Sequence, residues 1–319
     1  MSIVIHIPFY NQDPNKKEGF RQLTRFDYLL ENINNLKKLP IKTDIFVHTH
    51  NDFFKDKEIN AEIVIHNLES NDLEKGYLTW RVRSLMEKHL GKYEYYIYLE
   101  HDIKFTKENF EYWIEYKKKI QGKKLNLGFV VFENSNERGS NYAVHIMKKF
   151  KKYIELEKQK YFINDVDNYC CFWIYDNYEF NTFVNSKWWN FKEKLTNFRH
   201  YYGITEQSAL GFHAFNINHY KGTVLPSNKN ALDKRCFVEH ITNNYLYKFE
   251  NNLKDISNDK KNFGIENVCK YRIDDLLEEE KDQYQLNFLS LIQQKYLKLA
   301  WKFRFLKRLK KSILKRFKK

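Results

Sequence analysis

The stretch Tyr93 to Trp113 reads Tyr-Glu-Tyr-Tyr-Ile-Tyr-Leu-Glu-His-Asp-Ile-Lys-Phe-Thr-Lys-Glu-Asn-Phe-Glu-Tyr-Trp. Tyr93, Tyr95, Ile97 and Leu99 alternate along its first part, and aromatic and β-branched residues suit a packed sheet. Three polar residues then arrive together, Glu100, His101 and Asp102. Thr106 follows as an N-cap, and Phe110, Trp113 and Ile114 recur at helical spacing. Two carboxylates therefore sit two positions apart where a buried strand runs out. Alternate residues of an extended segment point the same way, so Glu100 and Asp102 are expected to reach one hard cation together. Mg2+ and Mn2+ favour oxygen ligands and leave room for a substrate's phosphates. The competing reading of such a pair is a solvated turn. The unbroken hydrophobic run before it favours a site, because open α/β sheets bind ligands at the carboxyl ends of their strands.

Outward from this centre the pattern alternates. Ser2 to Ile7 is a short buried strand running into Pro8-Phe9-Tyr10-Asn11-Gln12. Arg21 to Leu39 reads as a helix with Phe26, Leu29, Leu30, Ile33 and Leu36 on one side. Asp44 to His48 is a second strand ending in Thr49-His50-Asn51-Asp52, and Glu62 to His66 is a third. Tyr77 to Leu90 is helical, and the central strand follows. This alternation implies an α/β fold with a doubly wound, mixed but mainly parallel sheet and flanking helices. The polar clusters after the first, second and central strands should gather at one sheet edge. Leu127 to Phe132, Gly222 to Leu225 and Phe237 to Ile241 read as later strands, and a helix is expected to start near Glu206. The region 133–200 is dense in aromatics, including Phe172-Trp173 and Trp188-Trp189. It reads either as core or as a platform for a sugar ring. The stretch 251–280 reads as surface helix and loop.

With 319 residues, 42% of them hydrophobic and 17% aromatic, the chain has enough apolar material for one large core. No run of about eighteen apolar residues predicts a spanning helix. The first residues read as a strand and not as a signal peptide, which points to the cytoplasm. Cys170, Cys171, Cys236 and Cys269 form no CxxC pair and no zinc spacing, as expected of reduced structural thiols. The formal net charge is +14, and the segment 283–319 contributes twelve Lys or Arg and no acidic residue, leaving +2 for the rest. In that segment Ile292, Tyr296, Leu299, Phe303, Leu306, Leu309, Ile313 and Phe317 follow three-or-four spacing, with Trp301 near the middle. This is the pattern of a basic amphipathic helix lying on an anionic membrane. The competing reading is a helix docked on the protein's own body. No nucleic-acid motif accompanies the basic run, so no nucleic-acid partner is expected.

Several short motifs, in this order, resemble those of a known family. A strand opens into Ile7-Pro8-Phe9-Tyr10-Asn11, a second ends at Asn51-Asp52, Gly76 precedes a helix carrying Arg81 and Arg83, a hydrophobic strand ends in Glu100-His101-Asp102, and Val238-Glu239-His240 comes late. Residues 1–245 thereby resemble a GT-A-fold glycosyltransferase that uses a nucleotide-sugar donor. The resemblance implies that Glu100 and Asp102 stand for the Asp-x-Asp motif that holds Mn2+ or Mg2+, with His240 completing the metal shell. His240 otherwise reads as a satisfied strand histidine. It also implies that Pro8, Phe9 and Tyr10 cradle the base, that Asn51 or Asp52 binds base or ribose, and that Gly76, Arg81 and His101 belong to the donor site. Glu206, in Gly203-Ile-Thr-Glu-Gln207, stands where inverting members carry their base. Otherwise it is a first-turn Glu favoured by the helix dipole. Asp165 and Asp167 are weaker alternatives.

The implied organisation is a catalytic domain over 1–245, with a donor half at 1–125 and an acceptor half at 126–245. A charged connector at 246–282 and a basic helical extension at 283–319 follow. The implied activity transfers a sugar from a nucleotide sugar to a glycan or lipid-linked acceptor in surface polysaccharide or lipooligosaccharide synthesis, at the inner membrane face. A nucleotidyltransferase on a related sheet is the enzymatic alternative. A non-catalytic membrane- or polyanion-binding protein is the alternative of another class.

Overall fold

The computed structural model describes residues 1–135, 139–146, 148–164, 169–190, 204–214, 219–252 and 269–286. Its central sheet has five strands, in spatial order Phe172–Asp176, Tyr95–Leu99, Ser2–Pro8, Lys42–Thr49 and Glu62–Ile65. The first of these runs antiparallel along one edge. The other four are parallel, with Ile5 level with Ile97 on one side and Ile45 on the other. Ser2–Pro8 lies in the middle and is buried on both faces, Ser2 apart, as an inner parallel strand must be. The chain moves from it to one side through Lys42–Thr49 and Glu62–Ile65, then returns to the other side at Tyr95–Leu99. The switch in strand order therefore falls between Pro8 and Leu99, where ligands of such sheets bind.

Helix Arg25–Leu36 starts at a capping box, with Thr24 and Asp27 satisfying each other's backbone N–H groups. It buries Leu29, Ile33 and Leu36. Helix Leu78–Lys88 buries Leu78, Val82 and Met86. Thr106 caps Lys107–Lys119 through a second box with Asn109, as expected. The Asn109 amide also donates to the carbonyls of Arg235 (2.7 Å) and Phe237 (2.9 Å), which ties this helix to a late strand.

That late strand, Phe237–His240, belongs to a second five-stranded sheet. It pairs in parallel with Val130–Ser135 and antiparallel with Ile103–Lys104, placing His240 opposite Ile103. The expected strand 127–132 is divided in two, Leu125–Leu127 and Val130–Ser135. The break is at Gly128, where a Cβ would come within 2.7 Å of the Thr223 methyl. A further correction concerns 246–282. Asn244–Asn252 is helical, but the stretch ends in the strand Leu277–Gln283, paired in parallel with Phe150–Leu156. Its sequence, Leu-Glu-Glu-Glu-Lys-Asp-Gln, has no apolar alternation. It forms an edge strand, where charges face water and discourage further pairing.

The described aromatics between 172 and 212 are mostly core. Trp173, Phe180, Phe183, Trp189 and Phe212 are buried, and Tyr96 stacks on Phe180 at 4.1 Å. Each such ring stabilises the fold by about 2–3 kcal/mol through burial. Trp188 is half-buried with Lys187 over its ring, so of the two tryptophans only Trp188 has an accessible face. None of the four cysteines forms a disulfide among the described residues. Among the described residues no helix is long and apolar enough to cross a membrane. Tyr201-Tyr202, Asp165, Asp167 and residues 287–319 of the basic segment lie outside the described residues.

Candidate functional site

The polar clusters do collect at one edge. Phe9 donates its backbone N–H to His48 (2.7 Å), and its buried ring meets Phe53, Phe54 and, edge-on, His101 at 5.6 Å. Tyr10 is half-buried against His50, with ring centres 5.0 Å apart. Arg25 holds the Tyr10 carbonyl at 2.9 Å. Of the expected base cradle, then, Pro8 and Phe9 are wall and Tyr10 is the accessible face. Asn51 is occupied locally, its Oδ1 accepting from Phe53 N and its amide lying 3.3 Å from His50. Asp52 beside it is exposed.

Among the described residues, Asn11 Nδ2, His50 Nδ1 and His101 Nε2 are buried at this edge with no hydrogen-bond partner. An orphaned buried donor or acceptor costs about 1–3 kcal/mol, and these three follow three neighbouring parallel strands, Ser2–Pro8, Lys42–Thr49 and Tyr95–Leu99. Asn11 and His50 were not singled out from sequence. Their signal was position alone, Asn11 directly after the chosen Tyr10 and His50 directly before the chosen Asn51.

The central strand stops at Leu99, and Glu100 to Ile103 forms a turn closed by Ile103 N to Glu100 O at 3.2 Å. The expectation of an extended segment with both carboxylates facing one way is therefore corrected. Asn32, buried in helix Arg25–Leu36, pins this turn by donating to the carbonyls of His101 (3.2 Å) and Ile103 (2.8 Å). Glu100 accepts from the Tyr169 hydroxyl at 2.9 Å. Asp102 instead faces His240, its Oδ2 3.1 Å from Nε2. Burial and the neighbouring Asp102 charge push the Glu100 carboxyl up to about 8. Burial acts the same way on Asp102, but His101, His240 and Arg25 outweigh it and hold that carboxyl well below the usual range.

His240 is buried between two acids. Its Nδ1 lies 2.5 Å from Glu133 Oε1, and Thr242 Oγ1 is 3.0 Å from Nε2. Burial disfavours the charged imidazole, yet Asp102 and Glu133 raise its pKa well above the ordinary value. Glu133 is fully buried and also accepts from Tyr245 N (3.2 Å) and Leu246 N (2.7 Å) at the start of helix Asn244–Asn252. Sequence reasoning missed it, although an acid directly after the apolar run Val130-Val-Phe132 was a visible signal.

Glu206 lies in helix Ile204–Ala209, half-buried and close enough for its charge to raise the Glu100 pKa. The expected base thus lies within electrostatic range of Glu100. Gly76, at φ +78°, abuts Thr205, whose Oγ1 would be 2.3 Å from any Cβ there. Trp80 donates to the Ile204 carbonyl at 2.8 Å. Arg83, buried and without an ion pair among the described residues, holds the carbonyls of Trp188, Trp189 and Ser208. Gly76 and helix Leu78–Lys88 therefore support the Glu206 helix. Arg81 is exposed and 3.8 Å from Asp72.

Glu100, Asp102 and His240 are not a preassembled cage: among the described residues, no three His, Cys, Asp or Glu side chains are disposed to hold a metal ion. The donor chemistry nonetheless fits a hard cation such as Mg2+ or Mn2+, which is commonly held by one or two protein carboxylates with phosphate oxygens and water. Asp102 is ionised, and His240 is set with Nδ1 on an acid and Nε2 beside Asp102.

No family model matches this chain, and no curated protein does. Among solved structures it is similar to CMP:2-keto-3-deoxy-manno-octonic acid synthetase complexed with CTP (13% identity, TM-score 0.33, 58% of this chain and 78% of that one). It is also similar to residues 1–349 of S. aureus TarS in complex with UDP-GlcNAc (14%, TM-score 0.33, 57% of this chain and 47% of that one). A third is 4-diphosphocytidyl-2C-methyl-D-erythritol synthase from Anaerococcus prevotii (11%, TM-score 0.29, 58% and 76%). The chain spans about half the length of the TarS fragment.

Proposed function

We propose that this chain is a divalent-metal-dependent glycosyltransferase that moves a sugar from a nucleotide-sugar donor to a glycan or lipid-linked acceptor. The observation that carries the reading is the pairing of Asp102 with His240 Nε2 at the carboxyl edge of the sheet, beside the switch in strand order and the orphaned polar atoms of Asn11, His50 and His101.

In this reading the nucleotide lies between the Pro8–Asn11 loop and the Glu100–Ile103 turn. Asp102 and His240, with Glu100 nearby, would hold Mn2+ or Mg2+, which supplies positive charge to the donor's diphosphate. Transfer breaks the bond between sugar C1 and a phosphate oxygen, and negative charge grows on the departing diphosphate. Stabilisation that strengthens as that charge develops accelerates the step. Glu206 takes the proton of the acceptor hydroxyl as its oxygen attacks C1 from the opposite face. Trp80, Gly76 and Arg83 keep the helix of Glu206 in register with the turn. The basic segment 283–319, by its sequence pattern, would bring the enzyme to an anionic membrane carrying a lipid-linked acceptor, at the cytoplasmic face and in surface-polysaccharide synthesis.

Incubation with a panel of nucleotide sugars, with and without Mn2+, tests the reading. Metal-dependent release of nucleoside diphosphate is the expected result. Consumption or release of pyrophosphate would make the chain a nucleotidyltransferase. Neither reaction, together with binding to anionic vesicles, would make it a non-catalytic membrane protein.

A further inference from the structure

We propose that His145 is a substrate-binding residue whose Nε2 hydrogen-bonds a hydroxyl of the sugar being transferred. The inference rests on the nucleotide-sugar reading of the site and deepens it by naming a side chain that takes the sugar.

His145 follows the strand Ser140–Ala143 and stands out twice. Its φ is +63°, in the left-handed region that L side chains enter at a cost. Its Nε2 is buried and, among the described residues, has no hydrogen-bond partner. Val144 before it donates to the Val131 carbonyl at 2.7 Å, and Val144 and Ile146 are both buried, so the backbone is held in this conformation from either side. A strained backbone and an unpaired ring nitrogen each cost free energy. Outliers of this kind concentrate where a protein holds a ligand.

The neighbours of the ring indicate which ligand. It lies edge-on to Tyr169 and Tyr245, with ring centres 5.7 Å and 5.3 Å away. The Tyr169 hydroxyl donates to Glu100, and the Tyr245 ring stands 5.5 Å from that of His240. His145 is thus joined through Tyr169 to the Glu100 side of the acids. In the proposed reaction Asp102 and His240 mark the diphosphate, and Glu206, within electrostatic range of Glu100, marks the attacking acceptor. The transferred sugar lies between a departing diphosphate and its attacker, so the group beside Glu100 is that sugar. A hydroxyl both donates and accepts, so it pairs with Nε2 in either tautomer of the ring. A buried water is the competing occupant, and it would leave His145 a core residue.

The variant His145→Phe separates the two, because it keeps a ring between the tyrosines and removes Nε2. The full chain with Mn2+ is titrated calorimetrically with UDP-glucose, UDP-N-acetylglucosamine and GDP-mannose, and with UDP and GDP as sugar-free controls. For the sugar nucleotide that wild type binds best, the dissociation constant in His145→Phe is expected to rise about ten-fold, the worth of one hydrogen bond. That of the matching nucleoside diphosphate is expected to stay unchanged. The melting temperature is expected not to fall, because no hydrogen bond of Nε2 is lost from the free protein. An equal change for both ligands, or none, overturns the inference and leaves the glycosyltransferase reading standing. A lower melting temperature with unchanged sugar-nucleotide binding identifies the buried water and overturns it likewise. Wild type that takes the diphosphates but none of the sugar nucleotides also overturns it, and wild type that takes neither overturns the functional reading with it. If His145→Phe does not fold, His145→Asn, tolerated at positive φ, is expected to show the same split between sugar nucleotide and diphosphate, and the same contrary results overturn the inference.

Discussion

Glu100 and Asp102, neighbours but one in sequence, are turned onto different partners: Glu100 onto the Tyr169 hydroxyl at 2.9 Å and Asp102 onto His240 Nε2 at 3.1 Å. The turn from Glu100 to Ile103 separates them, and Asn32 fixes that turn from the neighbouring helix. Two acids that look equivalent in the motif are therefore expected to contribute unequally. Asp102→Ala should lower turnover by about 10³-fold, the loss of several kcal/mol of charge stabilisation, with the fold retained by circular dichroism. Glu100→Gln, which keeps an acceptor for Tyr169, should cost about ten-fold. Equal losses in the two variants would contradict the division of labour.

Glu206 is held near Glu100 by a helix that Trp80 and Arg83 anchor from the other side. Glu206→Gln should lower kcat by about 10²–10³-fold, the usual worth of a positioned base, with little change in donor KM. Unaltered kcat would move the base elsewhere.

Gly19 supports the site from a distance. Its φ is +65°, and a Cβ there would stand 1.7 Å from the Thr242 carbonyl, two residues after His240. Gly122, at φ +74°, has nothing within 4 Å of the same position. Gly122→Ala should therefore cost only backbone strain, about 1–2 kcal/mol. Gly19→Ala must also displace main chain and should cost about 3 kcal/mol or more by thermal unfolding. Equal shifts in the two variants would show that the loop over Thr242 yields freely.

Four histidines form a file, buried at His6, His48 and His89 and half-buried at His66, with His66 Nε2 2.8 Å from His48 Nδ1, His48 Nε2 2.9 Å from His6 Nδ1, and His6 Nε2 3.2 Å from His89 Nδ1. A neutral imidazole has one N–H and one lone pair, so rings donating in one direction satisfy every inner nitrogen. A protonated ring would set two donors face to face. Burial, then the neighbouring histidines, push His6 well down and His48 to about 3. Arg81 bears on His66, and Lys92 and Asp44 on His89. The unfolded chain binds protons at these rings near pH 6.5 and the folded chain does not, so their stability is fully present above 6.5 and is lost as pH falls towards 3. Between pH 6.5 and 5, His48 alone should remove about 2 kcal/mol. Urea unfolding across this range measures it, and His48→Gln should show a shallower slope. An identical slope would contradict a neutral file.

Legibility in the sequence followed local pattern. Strands with apolar runs, such as Ser2–Pro8 and Tyr95–Leu99, and capped helices, such as the one after Thr106, were readable because short-range chemistry decides them. The acidic edge strand Leu277–Gln283 was not, because its pairing with Phe150–Leu156 is set by tertiary contact and not by alternation. The metal-side candidates Asp102 and His240, 138 positions apart, do meet. Glu133 and Asn32 escaped because each acts on another residue, and only the pairing of distant strands and helices reveals what stands behind a ring or beneath a turn.

The central claim is a cation beside Asp102 and His240 that holds the diphosphate of a sugar nucleotide. Crystals grown with Mn2+ and a nucleotide sugar, measured at the manganese absorption edge, test it most directly. The account predicts an anomalous peak next to the Asp102 carboxylate and His240 Nε2, with donor phosphates against it. A bound donor with no manganese at that edge, or manganese held elsewhere, would contradict it.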